Sequence, residues 1–324
     1  MRELLGVIAV AATIAGLGEA AAQTYPSRPV TMVVPYAPGG PTDTIARIMA
    51  EHMRGSLGQP VIIENVSGAG GSIGVARVAR ATPDGYTLSV GNLSSHVMNG
   101  AVYALPYDLI ADFAPVSLLS FQPMLIVARK SLPADDLRGL VAWLKANAGN
   151  ATVGIQGVGT AGHVFAVFFQ KEIGTPLALV PYRGAGPAMQ DLLAGQIDCM
   201  IDTPTNSLPQ VRGGTIKAYA VTTESRLASA PDIPTVDEAG LAGFHFSFWQ
   251  ALWAPKGTPA PVMDKLNAAV AASLADPAIG QRFAEQGQEV PAVAQQTPQA
   301  LAAYHKAEIE KWWPIVKGAN IKAE

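Results

Sequence analysis

Val34-Pro35-Tyr36-Ala37-Pro38-Gly39-Gly40-Pro41-Thr42-Asp43 recurs in outline as Val180-Pro181-Tyr182-Arg183-Gly184-Ala185-Gly186-Pro187, so the pattern Val-Pro-Tyr-x-x-x-Gly-Pro stands twice in the chain. The recurrence predicts two similar lobes. Each copy follows an apolar, β-rich run, Val30 to Val34 and Leu177 to Val180, and leads into a helical pattern with Pro suited to the first turn. The first N–H groups of such a helix have no partner inside it, and a glycine-rich approach lets an anion come close to them. Two such places facing each other would clamp a small acid.

Outward from the first copy, strand and helix patterns alternate: strands over 30–35, 61–65 and 87–90, helices over 42–56 and 72–81. A second alternating series runs from a helix over 134–148 to a strand over 217–221. This predicts an α/β chain with parallel sheets covered by helices. Two extended stretches, Val116 to Ala128 around Pro123 and Phe244 to Pro255, are expected to cross between the lobes as the hinge. The expected division is 23–122 with 250–324 for lobe 1, and 123–249 for lobe 2.

Residues 1–22 read as a secretory signal peptide: Arg2 precedes the apolar run Leu4 to Leu17, and Ala20-Ala21-Ala22 offers a small-residue cleavage site. The chain has 324 residues with 22 basic against 25 acidic, a net charge of −3, which argues against nucleic acid as a partner. A chain this long can bury a large core without staples. Its one cysteine, Cys199, lies in the strand pattern Ile197 to Ile201 and is expected to be an inert buried thiol. None of His52, His96, His163, His245 and His305 forms a metal-like pair at short spacing, so no metal and no cofactor is expected.

Several further stretches carry a family resemblance: Tyr25-Pro26-Ser27-Arg28-Pro29-Val30, Pro83-Asp84-Gly85-Tyr86-Thr87-Leu88, Gly157-Val158-Gly159-Thr160, Pro231-Asp232-Ile233-Pro234-Thr235-Val236-Asp237-Glu238-Ala239-Gly240 and Ala254-Pro255-Lys256-Gly257-Thr258-Pro259. With the two Val-Pro-Tyr segments, in order over nearly the whole chain after residue 22, they resemble the Bug proteins, the substrate-binding component of tripartite tricarboxylate transporters. The resemblance implies a two-lobed, type II-like periplasmic-binding-protein fold with a two-crossing hinge. It also implies a monomeric, non-enzymatic receptor in the periplasm of a Gram-negative cell that delivers a small organic acid to a membrane permease. Recognition of the acid would rest on main-chain N–H groups and ordered water.

On that reading the candidate ligand residues fall in facing loops. The first is Tyr36 with Pro38, Gly39, Gly40, Thr42 and Asp43, where Thr42 or Asp43 could instead simply cap the helix. The second is Ser94 or Ser95, after the third strand of lobe 1, where open α/β sheets place ligands. Opposite stand Gly159, Thr160, Ala161 and His163, then Tyr182, Arg183 and Gly184, with Arg183 available to a distal carboxylate. Asp202 ends a strand and would suit an amine, water or hydroxyl, and Trp249 is expected as a cleft wall where the chain returns between lobes. The ligand class is a dicarboxylate or an aromatic acid; an amino acid held through Asp202, and a sensor role beside a signalling partner, are the alternatives. Gly157 to Gly162 also fits Gly-x-Gly-x-x-Gly, the mark of an NADP-dependent oxidoreductase, and Gly70-Gly71-Ser72-Ile73-Gly74 fits a hydrolase elbow. Export argues against the nucleotide, and Ser72 has no assignable His and acid partners.

Overall fold

The computed structural model describes residues 25–319 and 321, so the signal-peptide reading of residues 1–22 lies outside the described residues. In the first lobe β1 (Val30–Val34), α1 (Pro41–Leu57), β2 (Val61–Asn65), α2 (Ser72–Ala79) and β3 (Thr87–Asn92) alternate as the apolar periodicity requires. β1 pairs in parallel with β2 on one side, Val30 opposite Val61, and with β3 on the other, Thr31 opposite Thr87. Val30, Met32, Val33 and Val34 are all buried, the near-continuous apolar run that a strand covered on both faces needs. After α3 (Asn99–Val102) the long β4 (Phe113–Pro123) forms the edge of this sheet, and at Met124 the chain passes straight into β5 (Leu125–Arg129) of a second sheet.

The second lobe contains α4 (Leu137–Ala146), β6 (Thr152–Ile155), α5 (Ala161–Ile173), β7 (Ala178–Pro181), α6 (Ala185–Leu193), β8 (Cys199–Asp202), α7 (Pro204–Arg212) and β9 (Ile216–Val221). β10 (Ser247–Pro255) returns to the first sheet, and α8 (Ala260–Leu274), α9 (Pro277–Glu285) and α10 (Pro298–Gly318) follow. The two five-stranded sheets share one plan, β2-β1-β3-β10-β4 and β7-β6-β8-β5-β9, each a parallel triple extended by two strands in antiparallel pairing. The chain is thus a two-lobed α/β protein. That plan also shows that the two Val-Pro-Tyr copies are not equivalent. One follows β1, the middle strand of its triple, and the other follows β7, an edge strand, so the true counterpart of β1–α1 is β6–α5.

Thr222 ties the two crossings together. Its hydroxyl accepts from the Met124 N–H at 2.9 Å and donates to the Phe246 carbonyl at 2.8 Å, while its own carbonyl accepts from Phe246 N–H at 2.9 Å. α10 spans both lobes as well, for Trp312 packs edge-on against Phe165 of α5, and Trp313 donates its indole N–H to the Val97 carbonyl in lobe 1. Cys199 is buried in β8, where loss of solvation pushes its thiol up to about 12. Among the described residues no helix is long and apolar enough to cross a membrane.

Candidate ligand-binding cleft

Parallel strands followed by helices bring helix starts to the carboxyl edge of a sheet, and two lobes facing along that edge bring them to one place. The starts of α1 (Gly40, Pro41, Thr42), α5 (Thr160, Gly162), α6 (Ala185) and α7 (Thr203) line a single cavity of about 50 Å3 between the lobes. That is room for roughly three to five waters at about 10–15 Å3 each. No side chain caps α1, α6 or α7. Of the helices that start outside this cavity, α4, α9 and α10 are capped by Asp136, Asp276 and Thr297, whereas α2, α3 and α8 also lack a side-chain cap. A Gly at the Ncap of α1 and α6 leaves the first amides without a local acceptor, and Gly184 sits at φ 127°, a conformation other residues rarely adopt.

The cavity lining includes no Lys or Arg, and Asp202 is its only carboxylic acid. Whatever favours an anion here is therefore the row of amides and helix dipoles, each helix end worth about 0.3–2 kcal/mol. Asn92, at the carboxyl end of β3, organises the lobe 1 wall. Its Oδ1 accepts from the Tyr36 hydroxyl at 3.0 Å and from the amides of Ser94 at 2.9 Å and Ser95 at 3.1 Å. Its Nδ2 donates to Thr42 Oγ1 at 3.0 Å. Across the cavity the Gln156 carboxamide donates to the Ile201 carbonyl at 3.2 Å, and only a glycine at position 162 leaves room for it, since a Cβ there would come within 1.6 Å of Gln156 Oε1. Met124 and Phe248 of the crossings supply the apolar floor. Asn92, Gln156, Met124, Phe248 and Thr203 were not among the sequence candidates, although Asn92 and Gln156 are polar residues at strand carboxyl ends, the signal that pointed to Ser94.

Of the predicted residues, Tyr36, Gly40, Thr42, Ser94, Thr160 and Asp202 come together around this cavity. Tyr36 and Gln156 also border an outer chamber of about 670 Å3, which holds His163, Tyr182 and Arg183. There His163 Nδ1 accepts from the Gly159 N–H at 3.0 Å and burial lowers its pKa, so it is a neutral ring bracing the loop. The Tyr182 hydroxyl donates to Asp191 of its own lobe at 2.6 Å, and Arg183 is exposed. Ala161 and Gly184 flank the inner site, and the Ala161 amide is already taken by Ser94 Oγ at 2.7 Å.

Other expectations are corrected. Asp43 faces away from the cavity, where it accepts from Gly39 N–H at 2.9 Å, from Arg47 at 2.9 and 3.0 Å, and from Asn65 at 2.9 Å. Burial opposes its ionisation, but the hydrogen bonds from Arg47, Gly39 and Asn65 outweigh it and hold the carboxyl below its usual range. Asp43 is therefore the brace of the Pro38–Gly39 turn, and those two residues line a separate outer groove. Ser95 is buried, its hydroxyl within 3.1 Å of the Asn92 amide and 3.0 Å of His96 Nδ1. Trp249 is no cleft wall: it is fully buried and donates its indole N–H to Glu308 of α10 at 2.9 Å.

Residues 45–321 match the family described as the tripartite tricarboxylate transporter family receptor. Among solved structures, the periplasmic binding protein BugD is 42% identical with a TM-score of 0.89, covering 92% of this chain and 100% of its own. MatC from Rhodopseudomonas palustris, solved with bound malate, is 41% identical with a TM-score of 0.86, covering 90% of this chain and 100% of its own. An R. palustris protein with adipate is 34% identical with a TM-score of 0.88, covering 92% and 100%. Extent, order and fold agree, and the chain belongs to the tripartite tricarboxylate transporter receptors, the Bug-type periplasmic substrate-binding proteins.

Proposed function

We propose that this receptor closes its two lobes over a small dicarboxylate and presents it to a membrane permease of the tripartite tricarboxylate type, working as an exported monomer in the periplasm. The observation that carries the reading is the convergence of four helix starts, three without a side-chain cap, on a cavity with no lysine or arginine in its lining. Such a site takes negative oxygens through fixed N–H groups. Several N–H bonds together are needed to reach about −8 kcal/mol, the free energy of a micromolar complex. The similar structures that hold malate and adipate support a dicarboxylate. The small cavity and the burial of Trp249 in the core favour a short aliphatic acid over an aromatic one.

In the open form the helix starts are hydrated, and the acid selects the closed form by binding it better. The test is thermal unfolding of the purified chain against a panel of mono-, di- and tricarboxylates. A ligand at a hundredfold excess over its dissociation constant stabilises the fold by about 2.7 kcal/mol. If no acid in the panel shifts the transition, the reading is wrong.

A further inference from the structure

Where α5, the returning crossing and the end of α10 meet, a groove of about 840 Å3 shares no lining residue with the cavity or its outer chamber. Its wall is aromatic. Phe168 of α5 stacks on Phe246 at 6.3 Å between centroids and 14° between planes, and the Phe246 ring lies 5.9 Å from that of Trp312. Phe168 and Phe246 are only half-buried, and Ile315 of α10 is 37% exposed. Pro314, which has no amide to continue the helical hydrogen bonding, adds a second exposed apolar residue beside it. Contiguous apolar surface with a polar rim marks a place where something binds.

The rim specifies the occupant. Although the chain has 25 acidic against 22 basic residues, no acid lines this groove, whose charged or chargeable groups are Lys171, His245 and Lys311. His245 is already met by Asp237 at 3.0 Å and Glu224 at 3.9 Å. The lysine ion pairs among the described residues are those of Lys217 and Lys306, so the exposed Lys171 and Lys311 keep unmatched charges. Lys311 Nζ lies 5.0 Å from the centre of the Trp312 ring, which sets a positive charge at the edge of the aromatic wall. A short diacid has no apolar body to cover these rings, and an amphiphile with a neutral or cationic head leaves the lysines unmatched or repels them. We propose that this groove is a second binding site, for a free amphipathic carboxylate whose apolar body lies on Phe168 and Phe246 and whose head meets Lys171 and Lys311. The site stands apart from the cleft and does not depend on what the cleft holds.

Calorimetric titration of the purified chain at pH 7.5 would compare decanoate with decyltrimethylammonium and decyl maltoside, each below its micelle-forming concentration. Decanoate is expected to bind about tenfold or more tightly than the other two, a difference of about 1.4 kcal/mol. The double variant Lys171→Glu/Lys311→Glu changes two exposed side chains and is expected to weaken decanoate about tenfold, because attraction at both heads becomes repulsion. Lys130→Glu/Lys145→Glu, the same change of net charge at exposed positions outside the groove, is expected to leave it unaltered. No binding of decanoate, or equal affinity for the three head groups, overturns the proposal. So does decanoate binding that survives the groove variant, which would seat the acid in the cleft, and so does an equal loss in the control variant. Sedimentation of the chain with phosphatidylglycerol vesicles, without binding of free decanoate, would make the groove a membrane contact and overturn it as well. The wild-type comparison of head groups decides the matter even where a variant fails to fold.

Discussion

The amide of Ala161, the first residue of α5, donates to the hydroxyl of Ser94 in the opposite lobe at 2.7 Å, joining residues 67 positions apart. Beside this bond the Tyr103 hydroxyl donates to the Val158 carbonyl, a second link across the cleft. Both join the lobes beside the cavity, in addition to bonds from Thr205 to Gln122 and from Arg212 to the Glu285 carbonyl elsewhere between the lobes, and a ligand adds to them. Ser94→Ala leaves the Ala161 N–H without its partner in the closed form. A hydrogen bond of this kind is worth about 0.5–1.5 kcal/mol, so affinity is expected to drop about two- to tenfold. Calorimetry on the variant reads this directly, and an unchanged dissociation constant would remove the latch from the account.

Gly162 is held to glycine by its neighbour. A methyl group there meets Gln156 Oε1 at 1.6 Å, and because a carboxamide can swing, the collision is relieved by moving Gln156 into the cavity. Gly162→Ala is expected to keep its circular dichroism spectrum and to lose about tenfold or more in affinity. Each 1.4 kcal/mol of obstruction is one factor of ten. Combining it with Gln156→Ala should recover part of the loss; if the double variant binds no better, the obstruction lies elsewhere.

The corrected place of Trp249 makes a stability statement. Glu308 accepts from the indoles of Trp249 at 2.9 Å and Trp312 at 3.1 Å, and all three residues are buried. Glu308→Ala strands two buried donors at about 1–3 kcal/mol each, whereas Glu308→Gln keeps an acceptor. A marked fall in melting temperature is expected for the first and a smaller one for the second, with the order of ligand preference unchanged in both. A change in that order would put Trp249 back at the site.

His96 and His305 are both buried; His96 stacks on Trp253 at 3.9 Å, and His305 Nε2 contacts the His96 carbonyl oxygen. Loss of solvation, then the neighbouring His305, depresses the pKa of His96, and burial lowers that of His305 to about 4. The unfolded chain takes up protons near pH 6.5 that the folded chain refuses, so stability is full above that pH and falls toward pH 4. One such histidine costs about 2 kcal/mol by pH 5. Asp202, raised to about 6, acts with the opposite sign, since its contribution is full below the unfolded value and is lost as pH rises through 6. Urea unfolding at pH 7 and pH 5 should show the net fall, and His305→Gln should flatten it. An unaltered slope in that variant would assign the effect to other groups.

The architecture was readable because Gly and Pro punctuate nearly every junction: Pro41 opens α1, Gly58 ends it, and Pro123 closes β4 where the chain changes lobes. Convergence of α1 and α5 could be anticipated from strand-then-helix order alone. What could not be read was parity. Phe248 and Trp249 are neighbours on β10, whose side chains alternate faces, so one lines the cavity and the other enters the core. Nothing in the aromatic run says which. The same holds for Thr42 and Asp43, adjacent on α1, of which the first meets Asn92 in the cavity wall and the second braces the turn outside.

Cys199 gives the molecule a convenient silence. The chain has no other thiol, and this one is buried inside β8 with its ionisation suppressed at neutral pH. Two cysteines introduced on the opposing rims would thus be the only sites open to maleimide dyes, on the native background and without first deleting a residue. Fluorescence transfer between them would follow the opening and shutting of single molecules.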